Sequence, residues 1–131
     1  MQNLYKISGG VVVAPVMVAL VDHEWWLSGE TLWPNPDKKI PPVSRMAKNL
    51  MAAVEGSALS NVAIVKVPEK KSATCVGEFV VVLHADQGVL IMVEDETVQV
   101  QSGDVWWVRS PFELINNSGD HAVVLSMGIN L

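Results

Sequence analysis

The sequence predicts a mainly β chain folded as an antiparallel sandwich or barrel. From residue 60 onward, short valine-rich runs predict strands at 61–67, 78–85, 89–93, 97–101, 104–108, 112–116 and 121–129. Turn residues separate the runs, as in Asp86-Gln87-Gly88 and Ser102-Gly103. Half of the 131 residues are apolar and 18% are charged, which is typical of a folded domain. We therefore expect a single domain over residues 1–131, with its barrel core over 60–131.

The first 60 residues predict a more varied structure. Residues 1–43 are expected to form N-terminal strands and then a loop rich in Trp and Pro, whose Trp25, Trp26 and Trp33 either pin the loop or line a ligand groove. Residues 44–56 predict the one helix, which begins at Ser44 and buries Met46 among other apolar side chains.

The apolar run 11–21 is too short for a membrane helix, which needs about 20 residues. No cleavage pattern of small residues follows it, so a signal peptide is not expected. We interpret the run as a buried strand or a pair of strands and expect a cytoplasmic protein without a membrane partner.

Composition excludes several function classes. A net charge of −5 argues against nucleic-acid binding, which needs clustered Lys and Arg. The single cysteine, Cys75, excludes a disulfide framework and a cysteine-based zinc site. No histidine lies near Cys75 in the sequence to activate it as a nucleophile.

The C-terminal half resembles a known superfamily. The segments GEFVVVLHADQG (77–88), SGDVWWV (102–108) and PFELINNSGDHAVVLSMGI (111–129) resemble the double-stranded β-helix of the cupins and the 2-oxoglutarate/Fe(II) oxygenases, in particular the aspartyl/asparaginyl-hydroxylase branch. The resemblance implies a single-domain antiparallel jelly roll with an N-terminal strand extension and one α-helix.

The metal motifs that the resemblance implies are degenerate. A His-x-His or His-x-Asp motif is expected within 70–75, which reads KKSATC. The second histidine is expected at Glu113 or Leu114, and a basic residue that binds 2-oxoglutarate near His121. An Fe(II) facial triad needs two imidazoles and a carboxylate, and only Glu78 stands in register. We therefore assign no metal from the sequence, and a divalent ion (Fe, Zn, Mn or Ni) stays an open alternative.

The remaining candidates have two interpretations each. His84 is a displaced metal ligand or general base, or, as we prefer, a hydrogen-bonded histidine at a strand end. His121 replaces the missing cation or is a solvated turn residue. Glu113 faces the barrel interior, with Arg109 as its partner, or faces solvent. His23 joins a metal site only if the fold brings distant segments together.

The neighbours Trp106 and Trp107 predict that one indole enters the barrel and the other leaves it. Outward apolar side chains on these strands (Val80, Val82, Val105 and Trp107, or the set of opposite parity) favour a homodimer through the sheet faces.

Three functions follow from these observations. The preferred one is a non-catalytic jelly roll that binds a small molecule or protein partner, or assembles with itself. The alternative is a metal-dependent enzyme of the cupin or oxygenase type with rearranged ligands, drawn from His84, Glu78, Glu113, His121 and His23. The third is a structural component of a larger assembly such as a phage particle.

Overall fold

The computed structural model describes residues 3–21, 45–46, 58–109 and 111–130. Its elements are, in chain order, β1 (Leu4–Ser8), α1 (Ala14–Val21), β2 (Ala58–Val67), β3 (Lys71–Cys75), β4 (Phe79–His84), β5 (Val89–Val93), β6 (Glu96–Gln99), β7 (Val105–Val108), β8 (Phe112–Asn116) and β9 (Ala122–Asn130).

The strands form two antiparallel sheets. The larger has the order β1-β7-β4-β9-β2 and the smaller the order β3-β8-β5-β6. From β2 to β9 the chain crosses repeatedly from one sheet to the other, as in a jelly roll. The fold class predicted from the sequence is therefore confirmed.

The core between the two sheets is made of side chains from both of them. Val80 and Val82 of β4 pack there with Trp106 of β7 and with Phe112 and Leu114 of β8. These residues alternate with others that face the opposite side of their strand, as a pleated sheet requires. The two-sheet core holds the strand ends, and hence the loops between strands, in fixed positions.

A second core lies on the outer face of the larger sheet. Val16 and Leu20 of α1 pack there against Val81 and Leu83 of β4 and Val105 of β7. The strand predicted over 11–21 is thus wrong from Ala14 to Val21, where the chain is helical.

The helix forms because Pro15 is tolerated in a first helical turn and because buried side chains recur at Val16 and Leu20, while Val18 stays 68% exposed. A short run that is apolar throughout does not distinguish a helix from a strand by periodicity.

The paired tryptophans take opposite sides as predicted. Trp106 enters the core between the sheets, and Trp107 stacks on Tyr5 of β1 with 5.3 Å between ring centroids. Val80 and Val82 face inward with Trp106, whereas Val81 and Val105 lie on the outer face, so the outward residues match neither of the two predicted sets as a whole. Because α1 of the same chain packs on that face, less apolar surface is left there for an interface between two copies. The homodimer stays a prediction.

Strand β3 falls where the sequence analysis expected a loop carrying a metal motif. It is an edge strand whose Lys71, Ser72 and Thr74 are exposed and whose Cys75 is buried. Edge strands often carry polar side chains. The sequence of β3 therefore lacks the run of apolar residues by which the other strands were predicted.

The predicted helix 44–56 is described only at residues 45 and 46, which are helical, and Met46 packs in the second core. The Trp- and Pro-rich loop and His23 lie outside the described residues. Within the described ranges, no helix combines the length and hydropathy needed to cross a bilayer.

Candidate metal centre

Several strand ends meet at one end of the jelly roll. Strand β4 ends at His84 beside the start of β9, because the two strands pair antiparallel. Strand β8 ends at Asn116, and a short loop continues through Asp120 and His121 into β9. We call this end the histidine end. The opposite end, where β3 finishes at Cys75 and β4 and β8 begin, is the cysteine end.

The loop before β9 brings a carboxylate between two imidazoles. His84 Nε2 lies 3.0 Å from Asp120 Oδ2, and His121 Nδ1 lies 3.0 Å from Asp120 Oδ1. The imidazole centroids are 5.3 Å apart. One ligand atom from each residue can be chosen so that all three lie within 4.8 Å of one another. We call these three residues the His–Asp–His cluster.

The charge state of the cluster suits a cation. The hydrogen bond from His84 lowers the pKa of Asp120, and the backbone N–H of His121 lowers it further. Burial lowers the pKa of His121 below its ordinary value, although the charge of Asp120 opposes this. At neutral pH the carboxylate is therefore ionised and His121 is neutral, which are the forms that bind metal.

The cluster is accessible from solvent. The side chains of His84, Asp120 and His121 are 32%, 43% and 29% exposed. Ligand bonds of about 2.0–2.2 Å limit two atoms on one ion to a separation of about 4.0–4.4 Å, which is reached when they lie on opposite sides of the ion. Binding of one ion therefore requires the side chains to rotate so that the ligand atoms, which lie within 4.8 Å of one another, come closer together.

A groove adjoins the cluster, with a volume of ≈ 280 Å³. Its lining residues are Lys66, Pro68, Glu69, Gly119, Asp120 and His121. Lys66 stands opposite Val123 in the β2–β9 register and is 5% exposed. Burial lowers the pKa of Lys66, and the charge of Asp120 opposes the shift. A cation thus lies near His121, where the sequence resemblance implied one, but on β2 rather than on the last strand.

The cysteine end holds the positions where the resemblance implies the metal ligands. Thr74 stands opposite Glu113 in the β3–β8 register, and its hydroxyl donates to the Glu113 carboxylate. Glu113 alternates with the inward-facing Phe112 and Leu114, so its side chain points away from the barrel interior. Arg109, considered as its partner, donates instead to Asn3 Oδ1.

The structure therefore brings together only some of the candidates. His84 and His121 share one site. Glu78 stands at the start of β4, about 20 Å along the strand from His84 at 3.3 Å per residue, and Glu113 lies at that same far end. Trp106 packs in the core between the two sheets, and Trp107 stacks on Tyr5 of β1, so both indoles lie away from the cluster.

Asp120 is the residue that the sequence analysis missed. The signal was present, because a jelly roll in which β4 pairs with β9 places the end of β4 beside the residues before β9. With that pairing, Asp120-His121 meets His84.

No protein-family model matches the sequence, and no curated protein matches it. Among solved structures, the viral collagen prolyl hydroxylase from Paramecium bursaria Chlorella virus-1, solved as a 2OG complex, is similar with a TM-score of 0.65. The match covers 98% of this chain and 96% of that chain at 9% sequence identity. The resemblance predicted from the turns is confirmed at the level of the fold: the chain has the double-stranded β-helix fold seen in this prolyl hydroxylase.

Proposed function

We propose that the protein is a metal-dependent enzyme of the oxygenase or cupin type, in which His84, Asp120 and His121 hold a divalent metal ion. The observation that supports it is the convergence of two imidazoles on one carboxylate at a solvent-accessible strand end. Two histidines and a carboxylate are the ligand set of the facial triad that binds Fe(II). The structural likeness to a prolyl hydroxylase in complex with 2OG supports the same class.

The ligand atoms would be the two imidazole nitrogens and the carboxylate oxygens that lie in contact with one another in the cluster. His84 Nε2 and His121 Nδ1 face the Asp120 oxygens, and each nitrogen offers a lone pair in the other imidazole tautomer. When bound, the metal would supply Lewis-acid and redox chemistry at the mouth of the groove.

Lys66 would bind an anionic co-substrate in this enzyme. Lys66 lines the groove together with Asp120 and His121. A small dicarboxylate such as 2OG, placed with one end toward the cluster, would direct a carboxylate toward Lys66. Burial of Lys66 strengthens such an ion pair because water competes less for the charges.

Metal titration tests the proposal. Chelator-treated protein is titrated with Co²⁺, whose visible absorption reports its coordination. We expect one ion per chain, with binding lost in His84→Ala and in His121→Ala. His23→Ala replaces the remaining histidine of the chain and is the matched control. Failure of the wild type to bind Co²⁺, Fe²⁺ or Zn²⁺ would contradict the proposal, and loss of binding in the His23 variant would contradict the ligand set.

Consumption of 2OG tests the enzyme class. With Fe²⁺ and dioxygen, the wild type is expected to convert 2OG, and Lys66→Met is expected to retain the metal while raising the 2OG concentration needed for half-maximal conversion. If metal binds but 2OG is neither bound nor converted, the oxygenase assignment fails.

A second candidate is the non-catalytic jelly roll that binds a small molecule or protein partner. One observation favours it: Thr74 and Glu113 occupy the region where the resemblance implies the metal ligands. In that case the His–Asp–His cluster fixes the loop before β9 by hydrogen bonds alone, and the metal titration gives no binding.

A further inference from the structure

The loop between β8 and β9 carries two of the three proposed ligands, and it has no regular secondary structure. Residues 117–121 connect Asn116 at the end of β8 with Ala122 at the start of β9. Asp120 and His121 are neighbours in this loop, so any change in its path moves both ligands relative to His84. Whatever fixes the loop therefore fixes the geometry of the cluster.

Asn116 is the centre of the hydrogen bonds that fix it. The side chain is fully buried, and its amide nitrogen lies 2.7 Å from the carbonyl oxygen of Asp120 and 3.0 Å from that of Val67. Its amide oxygen accepts the backbone N–H of Ser118 at 3.0 Å. One side chain thus links the end of β2 to both the middle and the end of the loop.

Ser118 supports the same arrangement from within the loop. It is 4% exposed, and its hydroxyl lies 2.6 Å from Asn116 Oδ1 and 2.9 Å from the Asp120 carbonyl oxygen. The hydroxyl proton reaches either oxygen. Outside this network, Lys70 of the β2–β3 turn donates to the Asn117 carbonyl oxygen at 2.8 Å.

We propose that Asn116, with Ser118, is a positioning residue of the metal centre: it holds the backbone at Asp120 so that the Asp120 and His121 side chains face His84. The inference rests on the proposed function. Neither residue touches the ligand atoms in this arrangement; both act through the Asp120 carbonyl. Residues that orient metal ligands contribute about 10- to 100-fold to metal affinity.

The test compares two buried serines that each hydrogen-bond to a backbone carbonyl. Ser118→Ala removes the hydroxyl in the loop. Ser126→Ala removes a fully buried hydroxyl that donates to the Val76 carbonyl oxygen at 2.8 Å, at the cysteine end. Both variants are expected to lose similar stability to urea, but only Ser118→Ala is expected to bind Co²⁺ about tenfold more weakly, and Asn116→Ala more weakly still.

The outcomes separate the two proposals. Equal Co²⁺ affinity in wild type, Ser118→Ala and Ser126→Ala would overturn the positioning role and leave the metal site standing. If the wild type itself binds no metal, the proposed function fails, and the imidazole NMR signals of the metal-free protein decide the positioning role. Shifts of the His84 and His121 signals in Ser118→Ala, with none in Ser126→Ala, support it; unchanged signals overturn it.

Discussion

The two ends of the jelly roll are closed in different ways. At the cysteine end, Cys75, Phe112 and Met127 are buried, and Gly77 lies directly against Ser126 and the Met127 backbone. At the histidine end, the His–Asp–His cluster is partly exposed beside a groove of ≈ 280 Å³. One end is filled by packing and the other presents ionisable groups to solvent.

This contrast shows that the fold and the site are separable. The strands that carry the cysteine end also carry the histidine end, so the same sheet pairing builds both. What differs is the residues in the turns, and a site depends on those residues rather than on the fold.

The largest expected difference is in the reactivity of Cys75. Burial raises the pKa of the thiol to about 12, and the charge of Glu113 contributes. At pH 8 the thiolate fraction is then roughly a thousandfold lower than for a free cysteine with its pKa near 8.5. We expect no iodoacetamide adduct by mass spectrometry in the native protein over hours, and rapid alkylation in guanidinium. Alkylation of the native protein within minutes would show that the cysteine end is open.

A glycine at each end provides a matched pair for stability. Gly77 has φ +152, and an added Cβ would overlap Ser126 Oγ and press on Met127 O at 3.2 Å. We expect Gly77→Ala to lower the free energy of unfolding by about 3 kcal/mol, from backbone strain and overpacking. Gly119 has open space around its Cβ position, so Gly119→Ala should change it by less than about 0.5 kcal/mol. Urea unfolding measures both, and equal losses would contradict the contrast.

Substituting one carboxylate at each end distinguishes an effect on metal binding from an effect on the fold. Asp120→Asn removes the charge between the two imidazoles and is expected to weaken Co²⁺ binding by at least about a hundredfold. Glu113→Gln removes a partly exposed carboxylate at the far end and should leave the affinity within about twofold. A loss of Co²⁺ affinity in the Glu113 variant would indicate that the metal binds at the cysteine end, where the family resemblance implies its ligands.

The sequence predicted most of this fold. The strands at 89–93 and 112–116 coincide with β5 and β8, and five other strands agree within three residues at their ends. These segments combine apolar runs with turn residues at both ends. The two errors have physical reasons: α1 is uniformly apolar and so lacks periodicity, and β3 is a polar edge strand.

The site was less predictable because it depends on long-range pairing. His84 and His121 were recognised individually, but they are 37 positions apart in the sequence, and only the β4–β9 register brings them together. Lys66 was not considered, since it approaches His121 across the β2–β9 pair. The family resemblance also predicted metal ligands at the cysteine end, where Thr74 instead donates a hydrogen bond to Glu113.

The smallest expected effect is the pH dependence of stability at the histidine end. The pKa of His121 is lowered in the folded protein, mainly by burial; the charges of Asp120 and Asp86 raise it, and those of His84 and Lys66 lower it. Between that lowered pKa and 6.5 the unfolded chain binds more protons than the folded one, so the free energy of unfolding falls as the pH falls through this window. His121→Gln removes this titration. The metal-free variant is therefore expected to lose less stability than the wild type between pH 7.5 and pH 5, as measured by urea unfolding at each pH. Parallel pH profiles for the two proteins would mean that His121 is as hydrated in the folded protein as in the unfolded chain, and the histidine end would then lack the partial burial that keeps this imidazole neutral.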